Sequence, residues 1–192
     1  CSLVGSEMCI RDRLRDLHED HRNMAVMLDL LARETDSIRQ GEKPDFELIH
    51  DIMRYMTVYS DAVHHPKEDV LYGAMKKERP ELAAGLEQVG PEHEDIARLG
   101  MQLRNDVEAI ASGAAVTRER IIADATDYVD RLRKHIDWEE GDLFKRAEDL
   151  VRDESLMFVD ISHLDKLDPV FGPEREHSFA NLLAVIRDEA EP

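Results

Sequence analysis

The sequence predicts an all-α fold, an antiparallel up-down-up-down four-helix bundle with a C-terminal helical extension. Apolar residues recur at three- and four-residue spacing in four long stretches, one histidine sits on the apolar seam of each, and short segments with glycine or proline separate them. The composition agrees, because five phenylalanines, four tyrosines, one tryptophan and seven prolines in 192 residues are too few for a β-sandwich with many turns.

The first predicted helix spans about residues 12 to 39, where Leu14, Leu17, His21, Met24, Leu28, Leu31 and Ile38 form one stripe. Gly41 and Pro44 stop it, and Asp45 is the expected N-cap of a second helix from about 46 to 78. That helix turns Met53, Met56, Ser60, His64, Glu68, Leu71 and Met75 inward, and Pro66 is expected to kink it. The third stripe reads Leu86, Val89, His93, Ile96, Gly100, Leu103, Val107 and Ile110, with a break or bend expected at Gly90-Pro91. The fourth, capped by Thr117, reads Ile121, Ala125, Tyr128, Leu132, His135, Glu139 and Leu143. A short helix carrying Met157, Phe158, Ile161 and Leu164 is expected next, then turns at Asp168-Pro169 and Gly172-Pro173. A last helix carries Phe179, Leu182, Leu183 and Ile186, and this tail is expected to pack outside the bundle.

Helical rise fixes the heights of the histidines. His21 and His93 lie near the starts of their helices, and His64 and His135 lie past the middle of theirs, so antiparallel packing through short connections brings all four to one level. Positions four apart share a helix face, so His64 with Glu68 and His135 with Glu139 each aim a nitrogen and a carboxylate in one direction. Burying four imidazoles and two carboxylates without partners costs roughly several kcal/mol per group, and two divalent cations satisfy all six at once. A set of nitrogen and oxygen donors with no thiolate disfavours structural zinc and iron–sulfur clusters. Two iron ions are the expected cofactor, one held by His21 and His64 and the other by His93 and His135, with Glu68 and Glu139 bridging.

The stretches LHEDHRNM around His21, HHPKED around His64 and Glu68, PEHEDI around His93 and HIDWEE around His135 and Glu139 together resemble the haemerythrin-like HHE cation-binding family, over about Leu14 to Leu150. DPVFGPE near Asp168 is similar to the tail of bacterial single-domain members. The resemblance implies a bundle enclosing a non-haem diiron centre that binds or senses dioxygen, nitric oxide or peroxide, or handles iron. Oxygen-carrying haemerythrins have a second histidine one turn after the third-helix ligand, and here that position is Ala97. They also use a longer His-to-Asp spacing on the last helix. Four nitrogens weaken the case for reversible oxygen storage and bring sensing, scavenging or slow peroxide chemistry level with it.

Two other functions compete. A diiron oxidase or peroxidase-like enzyme of the ferritin-like class would use Glu-x-x-His pairs with lone glutamates, an order this chain lacks, and a metal-free helical interaction module leaves the polar seam unexplained. His65, about 100° round an α-helix from His64, is expected outside the ligand set. Glu140, His18, His50, His163 and His177 are expected to face solvent, the tyrosines to serve packing, and Trp138 to fill space beside the site. Met24, Met53 and Met56 are candidate pocket walls.

A net charge of −18 argues against nucleic acid and anionic membranes as partners, and no apolar run approaches the roughly 20 residues of a spanning helix, so a cytoplasmic protein is expected. Residues 1–13, CSLVGSEMCIRDR, carry both cysteines and read as a non-native, adapter-like leader; 14–150 form the bundle and 151–192 the extension.

Overall fold

The computed structural model describes residues 10–152, 164 and 166–190. Four helical rods form the bundle. Helix α1 (Ile10–Gln40) is followed by α2 (Phe46–Tyr55), which continues through a π-helical segment, Met56–His64, into α3 (His65–Glu78). Helix α4 (Leu86–Ala111) is the third rod, and α5 (Arg118–Trp138) runs through a second π segment, Glu139–Leu143, into α6 (Phe144–Arg152). Helix α7 (Ala180–Ala190) lies against α2.

Local chemistry sets the ends. The Asp45 carboxylate accepts the Leu48 N–H at 3.0 Å and the Thr117 hydroxyl accepts the Arg120 N–H at 3.3 Å, so both expected N-caps form. Helices α1 and α4 close on left-handed glycines, Gly41 at φ 87° and Gly113 at φ 85°, with the paired carbonyl contacts of a Schellman turn. Gly90 and Pro91 do not break α4. Pro91 lies inside the continuous helix, one turn beyond Glu87 and close enough to the N-terminus that few ladder bonds are lost.

Every seam residue named from the sequence in α1, in α2 and α3 and in α5 and its π continuation is buried, and in α4 only Ile110 is partly exposed. The apolar residues divide into two clusters. The larger contains Met24, Leu28, Ile52, Met53, Met56, Ile96, Leu103 and Leu132; the smaller contains Leu14, Leu17, Leu71, Met75, Leu143 and Phe144. The histidines lie along the same stripes at the boundary between them, so apolar packing borders the polar layer on two sides.

Helix α1 begins earlier than the sequence reading placed it. Ile10 is fully buried beside Leu14 and Leu17, so the seam extends by one turn into the stretch assigned to the leader. Met157, Phe158, Ile161 and His163 lie outside the described residues, and Leu164 is half-buried. Phe179, Leu182 and Leu183 of the tail join the larger cluster. Asp168 fastens the preceding turn: its carboxylate accepts the Tyr55 hydroxyl and the N–H groups of Val170 and Phe171, each at 2.8 Å. Among the described residues, no helix is long and apolar enough to cross a membrane.

Candidate metal centre

All six residues selected from the sequence meet in this layer. His21 comes from α1, His64 from the last position of the first π segment, Glu68 from α3, His93 from α4, His135 from α5 and Glu139 from the first position of the second π segment. Glu68, Glu139 and His64 are fully enclosed, and the other three are at most 6% exposed. Their ligand atoms form two groups. His21 and His64 face Glu68 Oε1 at 3.2 and 3.1 Å, whereas His93 Nε2 faces Glu68 Oε2 at 3.5 Å and His135 Nε2 at 3.1 Å. Glu68 belongs to both groups, one oxygen toward each. Glu139 touches both without belonging to either: Oε2 lies 3.4 Å from His21 and 3.2 Å from His135, and Oε1 accepts the Tyr72 hydroxyl at 3.1 Å.

The sequence reading expected His65 outside the ligand set, and the structure places it among the candidate donors. Its side chain is 3% exposed, its ring stacks on His93 at 4.2 Å, and it belongs to the group of Glu68, His93 and His135. Uniform α-helical winding turns residue 65 away from the face that holds residue 64. Here the His65 N–H instead bonds the Ser60 carbonyl five residues back, and that wider turn brings both histidines inward. Pro66, which cannot donate to the helical ladder, marks where the π segment gives way to α3 and is the signal that was present in the sequence.

The chain matches the family described as the hemerythrin HHE cation binding domain over residues 12–147. It belongs to the hemerythrin HHE family. No curated protein and no solved structure matches it significantly.

Within this candidate centre, four of the five imidazoles have a carboxylate on their outer nitrogen. His21 Nδ1 lies 2.8 Å from Glu140, His64 Nδ1 3.1 Å from Asp20, His65 Nδ1 3.4 Å from Asp61 and His93 Nδ1 3.1 Å from Asp69. Such partners fix ring orientation and put the proton on the outer nitrogen, leaving the inner lone pair for a cation. Glu140, expected to be solvated, is thus the outer partner of His21, and it also bonds His18 at 2.8 Å. His18 is accordingly half-buried against Phe144 instead of facing solvent, whereas His177 is exposed as expected. Trp138 sits beside His135 as expected, with ring centroids 6.2 Å apart, and Met24 accepts the Ser60 hydroxyl just below the histidines.

The inner atoms fit a cation-binding centre. His21 Nε2, His64 Nε2, His65 Nε2, both Glu68 oxygens and Glu139 Oε2 are buried without a hydrogen-bond partner among the described residues. Groups so placed cost about 1–3 kcal/mol each unless something supplies the missing interaction. Burial opposes charge on Glu68, but His64, His21 and His93 around it hold its carboxyl well below the usual range. Burial and the neighbouring Glu68 charge oppose ionisation of Glu139, and His135, His21 and His93 nevertheless hold it low. His93 is pushed up to about 11, since its carboxylate contacts, led by Asp69, outweigh burial. His65 goes the other way: burial keeps it neutral, which leaves its inner nitrogen free to donate a lone pair. Ala97, half-buried one turn beyond His93, supplies no donor.

Proposed function

We propose that the protein binds two iron ions, one in the group of His21, His64 and Glu68 and the other in the group of His65, His93, His135 and Glu68, with Glu139 completing both. The observation that carries this reading is the single carboxylate, Glu68, directed at two histidine groups through its two oxygens, with buried unpartnered donor atoms around it. Imidazole and carboxylate without thiolate suit iron better than a soft metal. Iron held this way would supply redox chemistry toward dioxygen, nitric oxide or peroxide. The nitrogen missing at Ala97 is replaced by one from the second rod, so the expected four-nitrogen set becomes five, and the objection to oxygen carriage based on the shortfall falls away. Three nitrogens on one side and two on the other make the His21–His64 side the more open one for a small ligand.

Elemental analysis of protein produced with ample iron should give about two irons per chain, one for each histidine group, with near-ultraviolet absorption of ferric iron. A preparation that holds only zinc and takes up no iron on anaerobic reconstitution overturns the assignment.

A further inference from the structure

A cavity of about 500 Å³ opens between α1, the first π segment and the turn at residues 166–173. Lys67 lines it. This residue is 8% exposed, makes no ion pair among the described residues, and has as its contact the Tyr59 ring, 5.8 Å from the ammonium to the centroid. Its stem is covered while its ammonium keeps access to the cavity, so an anion bound there would meet a cation that no carboxylate has neutralised. The nearby carboxylates are engaged elsewhere or lie at the rim. Asp20 accepts the Tyr59 hydroxyl at 3.1 Å and faces His64, Asp168 is filled by Tyr55 and two backbone N–H groups, Asp16 lies 3.5 Å from Arg15, and Glu19 is exposed. The same cavity has an apolar wall. Leu167 is 60% exposed and sits with Phe171 and Tyr59 around the opening, surface that a flat ligand would cover.

We propose that this cavity binds a small organic anion, with a carboxylate or phosphate head on the Lys67 ammonium and a flat apolar body against Tyr59, Leu167 and Phe171. The head then lies beside a continuous hydrogen-bonded path, Tyr59 to Asp20 to His64, that ends in the metal centre. Binding itself requires only the cavity, so it is independent of the metal that the centre holds.

Calorimetric titration of the full chain tests this, with benzoate and phenyl phosphate as probes and benzylamine as a control of opposite charge. Saturable binding of either anion is expected, and which one binds identifies the head group. Lys67→Met should weaken it about tenfold or more, as the loss of a charge-assisted hydrogen bond implies, and Lys67→Arg should recover most of it. Leu167→Asp, at an exposed position, should weaken it independently should Lys67→Met fail to fold. Absence of saturable binding by both anions, equal binding of benzylamine, or unchanged affinity in the folded Lys67→Met protein overturns the proposal.

Discussion

The rod formed by α2 and α3 and the rod formed by α5 and α6 carry the same spacing, His64 to Glu68 and His135 to Glu139, and each contains a π segment. In the first rod the wide turn precedes the motif. The His65 N–H reaches Ser60, and two consecutive histidines face the interior. In the second rod the wide turn follows the histidine: the Phe144 N–H reaches the Glu139 carbonyl, Ile136 stays half-buried, and the residue gained at the site is Glu140, on the outer nitrogen of His21. One inserted residue in the winding adds an inner imidazole in one rod and an outer carboxylate in the other. The two glutamates differ as well, since both Glu68 oxygens are unpartnered whereas Tyr72 occupies one oxygen of Glu139.

The largest effect should separate those two glutamates. Glu68→Gln removes the donor shared by both groups, and iron content should fall from about two per chain to near none; Glu139→Gln should retain at least one. Elemental analysis beside circular dichroism checks this, and equal losses in the two variants would remove the distinction.

The added residues of the two rods give the next contrast. His65→Ala should lower iron to about one per chain, whereas Glu140→Gln should keep both ions but weaken retention against a chelator by about 10–100-fold, as for other groups that orient a ligand. Unchanged iron content in His65→Ala would return that residue to a packing role.

The smallest effect is the pH response of the metal-free protein. His21, His64 and His93 are raised above 6.5, so their stabilisation is fully present below that value and is lost as pH rises through the elevated ones, about 11 for His93. Glu68 and Glu139 are held below 4.5, so theirs is present above that value and lost only as pH falls through the depressed ones. His65 is lowered, and its contribution is present above 6.5 and lost in acid. The melting temperature of the metal-free protein should therefore decline from about pH 6 to about pH 9, because three raised histidines outnumber one lowered one. Iron retention should rise across the same range, since an imidazole must be neutral to bind. A metal-free melting temperature that climbs over this interval would contradict the charge pairing described for the two rods.

The number of rods, their caps at Asp45 and Thr117, their inward stripes and the convergence of six candidate ligands were legible in the sequence, because a regular helix converts spacing directly into direction. Ile10 was legible too, since it lies four residues before Leu14 on the same seam. His65 and Glu140 were not. Their directions depend on where the winding widens by one residue, and periodicity assumes that it does not. That position is a property of the assembled bundle: His93 of α4 stacks on His65, and His18 and His21 of α1 bond Glu140, so contacts from other rods compensate a local departure that no single helix would adopt for its own sake. The placement of Lys67 belongs with them, because only the packing of α1 and the turn at 166–173 beside it makes the cavity that it lines. The sequence by itself determined which faces are apolar and which ligand types line them. Only the tertiary structure decided which neighbours of those ligands turn inward, because that choice is made by packing between rods and not by spacing along one.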